Sequence, residues 1–470
     1  MRFDPGLTDV TEADLRYVIG EIGLTDFELP SSVVITGTPP DLHSPLRVMD
    51  AGAIALAAQA IAVASLAQAR SGPAEDITIN ARQIIFNFRP FFHTLLEGRP
   101  TGDWTGLADA APCMGHFECA DGRVVYMCNL VPKLRDDALR FLNCAGNREA
   151  VAAAVAKWNA DALETAMTAQ GIPVAVVREQ EEWLGTEQGI ALRSSPLVHI
   201  DPVGDAPPIA LEKASKPFAG IKVVDMTHVL AGPMITRGLA EYGADVLHLR
   251  SANPDLDDPK AVSTEFRLGK NTATLELSDP ADRDRLTELL KDADVFVHSW
   301  RPGVFERYGF GPEQIAALKP GIIQIAVSCY GPVGPWSKRG GFDGLALAST
   351  GATAIEARYD RPKVSPPGVV TDALVGFLGT AVVASLLQRR ANEGGSYRAE
   401  LSLARIAMWL LGLGLDDVDP TTSSDIGEPR MRQLATPLGQ IDLVAPAVSF
   451  SSTQSQLRFA GAMPKPGWPQ

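Results

Sequence analysis

The carboxylate best placed for chemistry in this sequence is Asp372. It stands between an extended segment, 364–371, and a long apolar stretch, 373–387, which predicts a helix. Asp372 would therefore lie at or near the helix N-terminus. An Asp there caps the helix and stabilises it by about 1 kcal/mol, but the same position would keep a carboxylate ionised and available as a nucleophile. Periodicity leaves both roles open.

A second candidate feature is the first predicted strand–turn–helix unit, residues 223–233. It contains Gly232 but no G-x-G-x-x-G motif, and the next strand ends in Arg250, where a dinucleotide site would have an acid. An acid would hold a ribose diol, whereas a base suits a phosphate. The pattern argues against NAD and is compatible with a phosphorylated nucleotide. Arg250 alone is equally typical of a solvated strand end.

Basic and polar residues recur at the ends of predicted strands and in the loops beside them. Each residue taken singly is typical of a protein surface. Because ligands of open α/β sheets collect at the carboxyl ends of strands, the recurrence favours an anion pocket. The residues are Arg250, Lys270, Asn271, Ser299, Trp300, Arg301 and Arg307.

The elements that would position these residues alternate between apolar strands and helices. Such an alternation predicts an α/β fold with a Rossmann-like parallel sheet and helices on both faces. The predicted strands are 221–226, 245–249, 272–277, 294–300 and 322–328, and the predicted helices are 234–242, 280–291 and 312–319.

Composition divides the chain into four regions. A Pro-containing linker, 201–215, marks the main boundary. The regions are 1–109, an N-terminal region with an apolar helix; 110–215, a small α+β domain and linker; 216–415, the α/β unit; and 416–470, rich in Pro, Ser and Thr, which we expect to form an extended tail.

Two local patterns support this division. The run 51–67 is apolar, Ala-rich and broken by Gln59, and it is shorter than the roughly 20 residues of a membrane span, so it predicts a buried helix. In the second region, the alternation around Asp121-Gly122 predicts a β-hairpin, and Gly171 predicts the end of a helix.

Two stretches of sequence resemble each other. Residues 45–50 and 367–372 each end in Asp and lead into an Ala-rich helix, so Asp50 matches Asp372. The match is either chance similarity between Ala-rich helices or a sign that the chain holds pieces of two related halves. No nucleotide-binding half precedes Asp50, and we therefore expect it to be a structural cap or a relic.

The composition excludes several classes of protein. Of the 470 residues 46% are hydrophobic, which argues against disorder, and the net charge of −14 argues against a nucleic-acid-binding face. Five Cys without a C-x-x-C pair fit a reducing compartment, and seven scattered His show no metal-ligand spacing. The N-terminus lacks the apolar core of a secretory signal. We expect a cytoplasmic protein without metal, membrane or nucleic-acid partners.

Residues from about 217 to 410 resemble the class III CoA-transferase family, which includes formyl-CoA and carnitine CoA-transferases and α-methylacyl-CoA racemase. The resemblance covers about two-fifths of the chain. The matching pieces, in order, are KPFAGIKVVDMTHVLAGPMITRGLAEYGADVLHL, GKNTATLELSDP, ADVFVHSWRPGVFERYGFGPEQIAALKPGIIQIAVSCYGPVGPW, GGFDGLALASTG and PPGVVTDALVGFLGTAVVASLLQRR.

Residues 110–215 look like the smaller domain of the same family, through pieces such as FECADGRVVYMCN and GIPVAVVREQEEWL. In family members that domain follows the nucleotide-binding part, whereas here it precedes it. The order of the chain therefore looks permuted or fused. Family members are interlocked homodimers, so the resemblance also implies a homodimer.

The resemblance implies a mechanism and a set of site residues. The family transfers CoA from an acyl-CoA thioester to a small carboxylic acid through an aspartyl-CoA intermediate, with coenzyme A as substrate and no prosthetic group. Asp372 matches the reacting Asp. The basic family position after the second strand is Ser251 here, so Arg250 matches off by one. The implied CoA contacts are His228, Val229, Ala231, Arg250, Lys270, Asn271, Ser299, Trp300 and Arg307.

Two departures from the family leave alternatives open. The racemase branch has a His where this chain has Phe342, in Gly341-Phe342-Asp343, so a two-base proton transfer would lack one base. The glycine-rich loop that covers the reacting Asp in formyl-CoA transferase has no clear match. Acyl-CoA racemase or isomerase activity, and CoA binding without turnover, are the alternatives to CoA transfer.

Overall fold

The computed structural model describes residues 2–3, 11–24, 32–40, 42–102, 111–129, 131–253, 260–358, 368–417, 426–459, 461–463 and 466–468. Residues 364–367 of the predicted extended segment lie outside these ranges. The helices are α1 (Glu12–Glu21), α2 (Val48–Ala69), α3 (Ala81–Phe88), α4 (Pro132–Leu142), α5 (Arg148–Val155), α6 (Ala160–Ala169), α7 (Gln180–Gly185), α8 (Glu187–Arg193), α9 (Ala231–Glu241), α10 (Lys260–Phe266), α11 (Pro280–Asp292), α12 (Pro312–Leu318), α13 (Asp343–Thr350), α14 (Ala352–Ala357), α15 (Val370–Glu393) and α16 (Leu403–Gly412), with 3₁₀ turns at Pro90–Phe92 and Glu306–Tyr308.

The strands, also numbered in chain order, are β1 (Arg2–Phe3), β2 (Ser32–Thr36), β3 (Asp76–Asn80), β4 (Leu95–Leu96), β5 (Arg99–Pro100), β6 (Met114–Glu118), β7 (Val124–Cys128), β8 (Val174–Val176), β9 (Val198–Gly204), β10 (Lys222–Met226), β11 (Asp245–Arg250), β12 (Lys270–Thr274), β13 (Val295–His298), β14 (Ile323–Ser328), β15 (Ser396–Ser402), β16 (Met431–Thr436), β17 (Gly439–Val444) and β18 (Val448–Phe450).

The largest sheet follows the order β12-β11-β10-β13-β14-β15-β9. Strands β10 to β15 are parallel, and Val223 of β10 lies in register with Val246 of β11 and Val295 of β13. Counted along the chain, the six parallel strands have the 3-2-1-4-5-6 order of dinucleotide-binding folds, which reverses direction between β10 and β13. The α/β prediction is confirmed, and each of the five predicted strands is present.

Helices cover both faces of this sheet, as predicted. Successive residues of a strand point to opposite faces. Val223 therefore packs into the core that contains α9 and α15, whereas Val224 packs into the core that contains α11 and α12. Strand β9, which belongs to the second predicted region, adds to the sheet edge antiparallel to β15.

The small domain is a three-stranded antiparallel sheet, β6-β7-β8, packed on α4, α5 and α6 around its own core. Its hairpin turns at Gly122 (φ 76°), and Gly171 (φ 74°) follows the end of α6, as the sequence predicted. Tyr126 of β7 and Ala175 of β8 pack against α13. The small domain is thereby fixed beside the carboxyl ends of the parallel strands.

Helices α2 and α15 pack along each other at the centre of the molecule and are almost entirely buried. Both are long and apolar enough to cross a membrane by length and composition alone. Along the chain α2 lies between the parallel strands β2 and β3, and α15, preceded by α13 and α14, lies between the parallel strands β14 and β15. Each copy of the weak sequence repeat thus leads into a long buried helix that is followed by a parallel strand.

The C-terminal region pairs with the N-terminal region. Strands β16 and β17 form a hairpin that pairs with β4, and β18 lies antiparallel to β3, just as β9 lies antiparallel to β15. The region expected to be an extended tail therefore contains regular strands, because it finds open strand edges to pair with.

Candidate active site

A cavity of about 350 Å³ opens at the carboxyl ends of β10 and β13, where the strand order reverses. This size and position are typical of sites for small ligands in α/β sheets. The small domain forms the opposite wall through residues of α4 and the loop after α6. The predicted site residues that line the cavity are His228, Val229, Ala231, Ser299, Trp300 and Asp372.

The turn between β10 and α9 is held in an unusual conformation. Val229 has φ 65°, which is strained for a β-branched residue. A side chain at Gly232 would place its Cβ 2.5 Å from Thr227. The backbone N–H of His228 donates to Ser299 Oγ at 2.9 Å, and its ring meets Trp300 edge to face at 4.9 Å. These contacts join the ends of β10 and β13 around the cavity.

Lys270 does not face the cavity. It is fully buried, and its Nζ donates to Asp225 Oδ2 at 3.0 Å, to the Pro233 carbonyl at 3.0 Å and to Thr236 Oγ1 at 2.6 Å. Burial opposes ionisation of Asp225, but Lys270 together with His248 and the hydroxyls of Thr227 and Thr236 outweighs it, so the pKa of that carboxyl is lowered. Lys270 therefore lies beneath the turn that forms the cavity wall and stabilises it, which corrects the prediction that Lys270 contacts CoA.

Three further predicted contacts also lie away from the described cavity walls. Asn271 is the second residue of β12, and Arg250 is the last residue of β11; both are half-buried. Arg307 is exposed on the 3₁₀ turn Glu306–Tyr308, 5.6 Å from the ring centroid of Tyr308. Their polarity and their nearness to strand ends in sequence did not specify which side of the sheet they would face.

Asp372 lies in the first turn of α15, is buried and lines the cavity. Burial and the neighbouring charge of Asp343 raise its pKa well above the usual range. This corrects the expectation that the helix N-terminus alone keeps Asp372 ionised. A carboxyl removed from water and placed beside another acid holds its proton more tightly than the helix end can offset.

Asp343 is the functional neighbour that sequence reasoning missed. Its Oδ1 accepts hydrogen bonds from the N–H and hydroxyl of Thr371, both at 2.6 Å, and from the N–H of Asp372 at 3.3 Å. It thus caps α15, whose own N-cap, Val369, offers no side-chain bond. Burial raises the pKa of Asp343 to about 6, opposed by the bonds from Thr371 and Asp372. The pair therefore carries its first negative charge on Asp343.

The other titratable groups close to this pair are neutral. Burial, together with the charges of the two acids, raises the pKa of the Cys128 thiol to about 12 and that of Cys329 well above its usual value. Burial raises the pKa of the Tyr126 hydroxyl in the same way. Of Asp372 and Cys329, which both line the cavity, the carboxyl starts from a far lower pKa than the thiol and is the better candidate for an attacking anion. Asp137, another carboxylate of the cavity wall, is paired with Lys133 and Arg140.

The cavity also contains two arginines, Arg301 and Arg339, of which only Arg301 was among the residues predicted to form an anion pocket. Arg301 follows Trp300 directly, and Arg339 precedes Gly340-Gly341 on the loop that leads to α13. The predicted end of β13 indicated Arg301, whereas no pattern in the sequence indicated Arg339. The small-domain wall carries no such signal, because its position depends on packing between distant parts of the chain.

Comparison with known proteins gives the family of the chain. Residues 218–456 match the family model of CoA-transferase family III. The chain is 39% identical over 210 residues to an acetyl-coenzyme A transferase of Hypoxylon pulicicidum, covering 43% of this chain and 35% of that protein. It is 34% identical over 191 residues to the succinyl-CoA:glutarate CoA-transferase of Mus musculus, covering 38% and 44%. The chain thus spans less than half the length of these relatives.

Solved structures of similar proteins cover comparable parts of the chain. Rv3272 of Mycobacterium tuberculosis aligns with a TM-score of 0.39 at 25% identity, over 42% of this chain and 58% of that one. A CAIB/BAIF family protein of Brucella suis aligns with a TM-score of 0.37 at 23% identity, over 48% and 65%.

The family match covers more than half of the 470 residues and includes the parallel strands, the strained turn and Asp372. The chain belongs to CoA-transferase family III.

Proposed function

We propose that this protein transfers CoA from an acyl-CoA thioester to a carboxylic acid, with Asp372 as the nucleophile. The observation that carries the proposal is a buried carboxyl at the start of α15, exposed only to a cavity at the point where the strand order reverses. Family membership supports it. So do the names of relatives such as the acetyl-CoA:oxalate CoA-transferase of Acetobacter aceti, which is 29% identical over 201 residues.

The reaction balances without an added acid or base. The Asp372 carboxylate attacks the thioester carbonyl, the carbon–sulfur bond breaks, and CoA leaves as a thiolate. The thiolate attacks the Asp372 carbonyl of the anhydride and releases the donor acid as a carboxylate. The acceptor carboxylate then attacks the aspartyl thioester and displaces the thiolate, which attacks the acceptor carbonyl of the new anhydride. This yields the new acyl-CoA and restores the Asp372 carboxylate.

CoA would bind against the β10–α9 turn in this proposal. The N-cap of α9, Leu230, makes no side-chain capping bond, and Leu230, Ala231 and Gly232 line the cavity. Unsatisfied N–H groups at a helix N-terminus suit a phosphate oxygen. Trp300 and His228 add aromatic surface beside them.

The proposal is tested with Asp372→Ala and Asp372→Asn, assayed by mass spectrometry against a panel of acyl-CoA donors and acids. Both variants should lose transfer by at least about a thousandfold while remaining folded, as expected on removal of a nucleophile. Asp50→Asn is the matched control, because Asp50 holds the corresponding place on α2 and is ion-paired with Arg47. Undiminished transfer by the Asp372 variants would refute the proposal. Solvent deuterium entering the α-carbon of the acyl group would instead favour a racemase.

We also propose that the chain is a rearranged form of the family unit, with one part present twice. We further propose that the protein acts as a cytoplasmic homodimer. The two long buried helices, α2 and α15, which are each followed by a parallel strand, support the rearrangement. Arg70, at the C-cap of α2, and Arg390, in the last turn of α15, support it too, because both are buried and donate to backbone carbonyls. Mass photometry should give twice the mass of one chain; a single-chain mass at micromolar concentration would exclude the dimer.

A further inference from the structure

A buried polar residue interrupts the apolar helix at the centre of the molecule. Gln59 lies in the middle of α2 and is 8% exposed. Its side-chain amide has no hydrogen-bond partner among the residues that the structure describes, and it lines a second cavity, between α2, α9 and the C-terminal strands. Its Nε2 atom lies against α9, 3.4 Å from the position of a Cβ added at Gly238. Because a buried amide without a partner is destabilising, a molecule in the cavity is expected to supply the partner.

A second polar group in this cavity also lacks a partner within the described part of the chain. Tyr242, at the C-terminal end of α9, is 5% exposed, and its ring meets Phe450 edge to face at 5.8 Å. Its hydroxyl makes no hydrogen bond to a described residue. Burial and the charge of Glu241 raise the pKa of this hydroxyl, so it keeps its proton. It can therefore both donate and accept a hydrogen bond, as the amide of Gln59 can.

The charged residues around the second cavity pair with one another. Arg237 donates to Glu241 at 2.9 Å and lies 2.7 Å from Glu265. Arg432 donates to the other oxygen of Glu241 at 2.5 Å. Two cations and two anions leave this network without net charge. The wall therefore suits an uncharged molecule better than an ion.

The size of the second cavity limits what can fill it. One water occupies about 30 Å³ in the liquid, so a cavity of about 60 Å³ holds about two waters. Sites for organic ligands usually have volumes of about 300 Å³ or more. Among the described residues the cavity shares no wall residue with the active-site cavity. Water is an uncharged molecule of this size that both donates and accepts hydrogen bonds.

We propose that the second cavity binds a cluster of about two ordered waters, which are the hydrogen-bond partners of Gln59 and Tyr242. The cluster acts as a structural ligand that joins α2 of the N-terminal region to the C-terminal end of α9. It accounts for a buried Gln in an Ala-rich helix. The inference is independent of the proposed function, because it depends on none of the active-site residues.

The sign of a stability change distinguishes a hydrated cavity from a dry one. Gln59→Met and Tyr242→Phe each remove the polar group and keep much of the shape of the side chain. If waters bond to these groups, each variant loses hydrogen bonds, and its melting temperature should fall by about 1–3 °C. If the cavity is dry, each substitution removes an unsatisfied buried group, and the melting temperature should rise. A rise in either variant would overturn the inference.

A double-mutant cycle tests whether the two residues share the same waters. The variant with both Gln59→Met and Tyr242→Phe should lose less than the sum of the single losses, because either substitution already disrupts the cluster. Gln83→Met is the matched control. Gln83 is also buried, but its amide donates directly to the carbonyls of Arg430 and Ala445 at 3.0 and 2.8 Å, so its loss should add to that of Tyr242→Phe. Additive losses for Gln59 and Tyr242 would contradict shared waters.

A high-resolution crystal structure of the wild-type protein gives the direct observation, whether or not the variants fold. We expect density for about two waters within hydrogen-bonding distance of the Gln59 amide and the Tyr242 hydroxyl. A cavity without density, or a direct hydrogen bond between these two side chains, would overturn the inference.

Discussion

Replacing Asp343 with Asn tests how the cavity controls Asp372, the proposed nucleophile. The Asn carbonyl oxygen can still accept from Thr371 and from the N–H of Asp372, but the negative charge beside Asp372 is lost. Two like charges about 5 Å apart at an effective dielectric constant of about 20 repel by about 3 kcal/mol, equivalent to about two pKa units. Removing Asp343 should therefore allow Asp372 to ionise at lower pH.

The assay is the pH dependence of kcat/KM for CoA transfer. In the wild type the rate should rise with pH as Asp372 loses its proton, because only the carboxylate attacks. In Asp343→Asn the rise should move to lower pH by one to two units. Asp343→Ala is the control for capping: it removes the acceptor as well and should destabilise the fold by about 1–3 kcal/mol. An unchanged pH profile in Asp343→Asn would refute the coupling of the two acids.

Two further predictions concern stability. The pKa of Asp372 is higher in the folded than in the unfolded chain, so the folded state binds the proton more tightly and loses stability as pH rises above about 4. Asp372→Asn should therefore have a melting temperature a few degrees above that of the wild type at pH 8, and the difference should vanish near pH 4. A lower melting temperature of the variant at pH 8 would contradict this prediction. Lys270→Met should lower the free energy of unfolding, measured in urea, by about 3–5 kcal/mol, because Asp225 is left buried without its partner. A loss of CoA affinity without a loss of stability would instead show that Lys270 contacts CoA.

Local patterns were sufficient to predict five of the six parallel strands of the α/β unit. Apolar runs bounded by turns located β10 to β14 within a few residues, and glycines located the ends of the hairpin and of α6. The resemblance to a family then placed His228 and Trp300 beside Asp372, because all three lie in motifs carried by regular elements that meet at one edge of the sheet.

The direction of long side chains could not be predicted in the same way. Lys270 begins a strand near polar residues, which suggested an exposed ligand contact, yet its ammonium group reaches back to Asp225. Nothing in the spacing distinguishes these orientations, since the partner lies on a different strand 45 residues earlier.

Contacts between elements that are distant in sequence could not be predicted, and the candidate site depends on such contacts. Asp343 caps α15 from the start of another helix, and a pattern of residues within one helix cannot show that. The charge state of Asp372 depends on this cap, so its raised pKa followed only from the three-dimensional structure. The same applies to Arg339, whose acid neighbour, Glu164, belongs to the small domain.

The most direct test of the central claim is to trap the covalent intermediate. Wild-type protein is incubated with acyl-CoA and hydroxylamine, which reacts with anhydrides and thioesters, and is then digested for peptide mass spectrometry. We expect a hydroxamate on Asp372 that forms only when acyl-CoA is present. Turnover of acyl-CoA and acid with Asp372 unmodified, or modification of Cys329 in its place, would contradict the account.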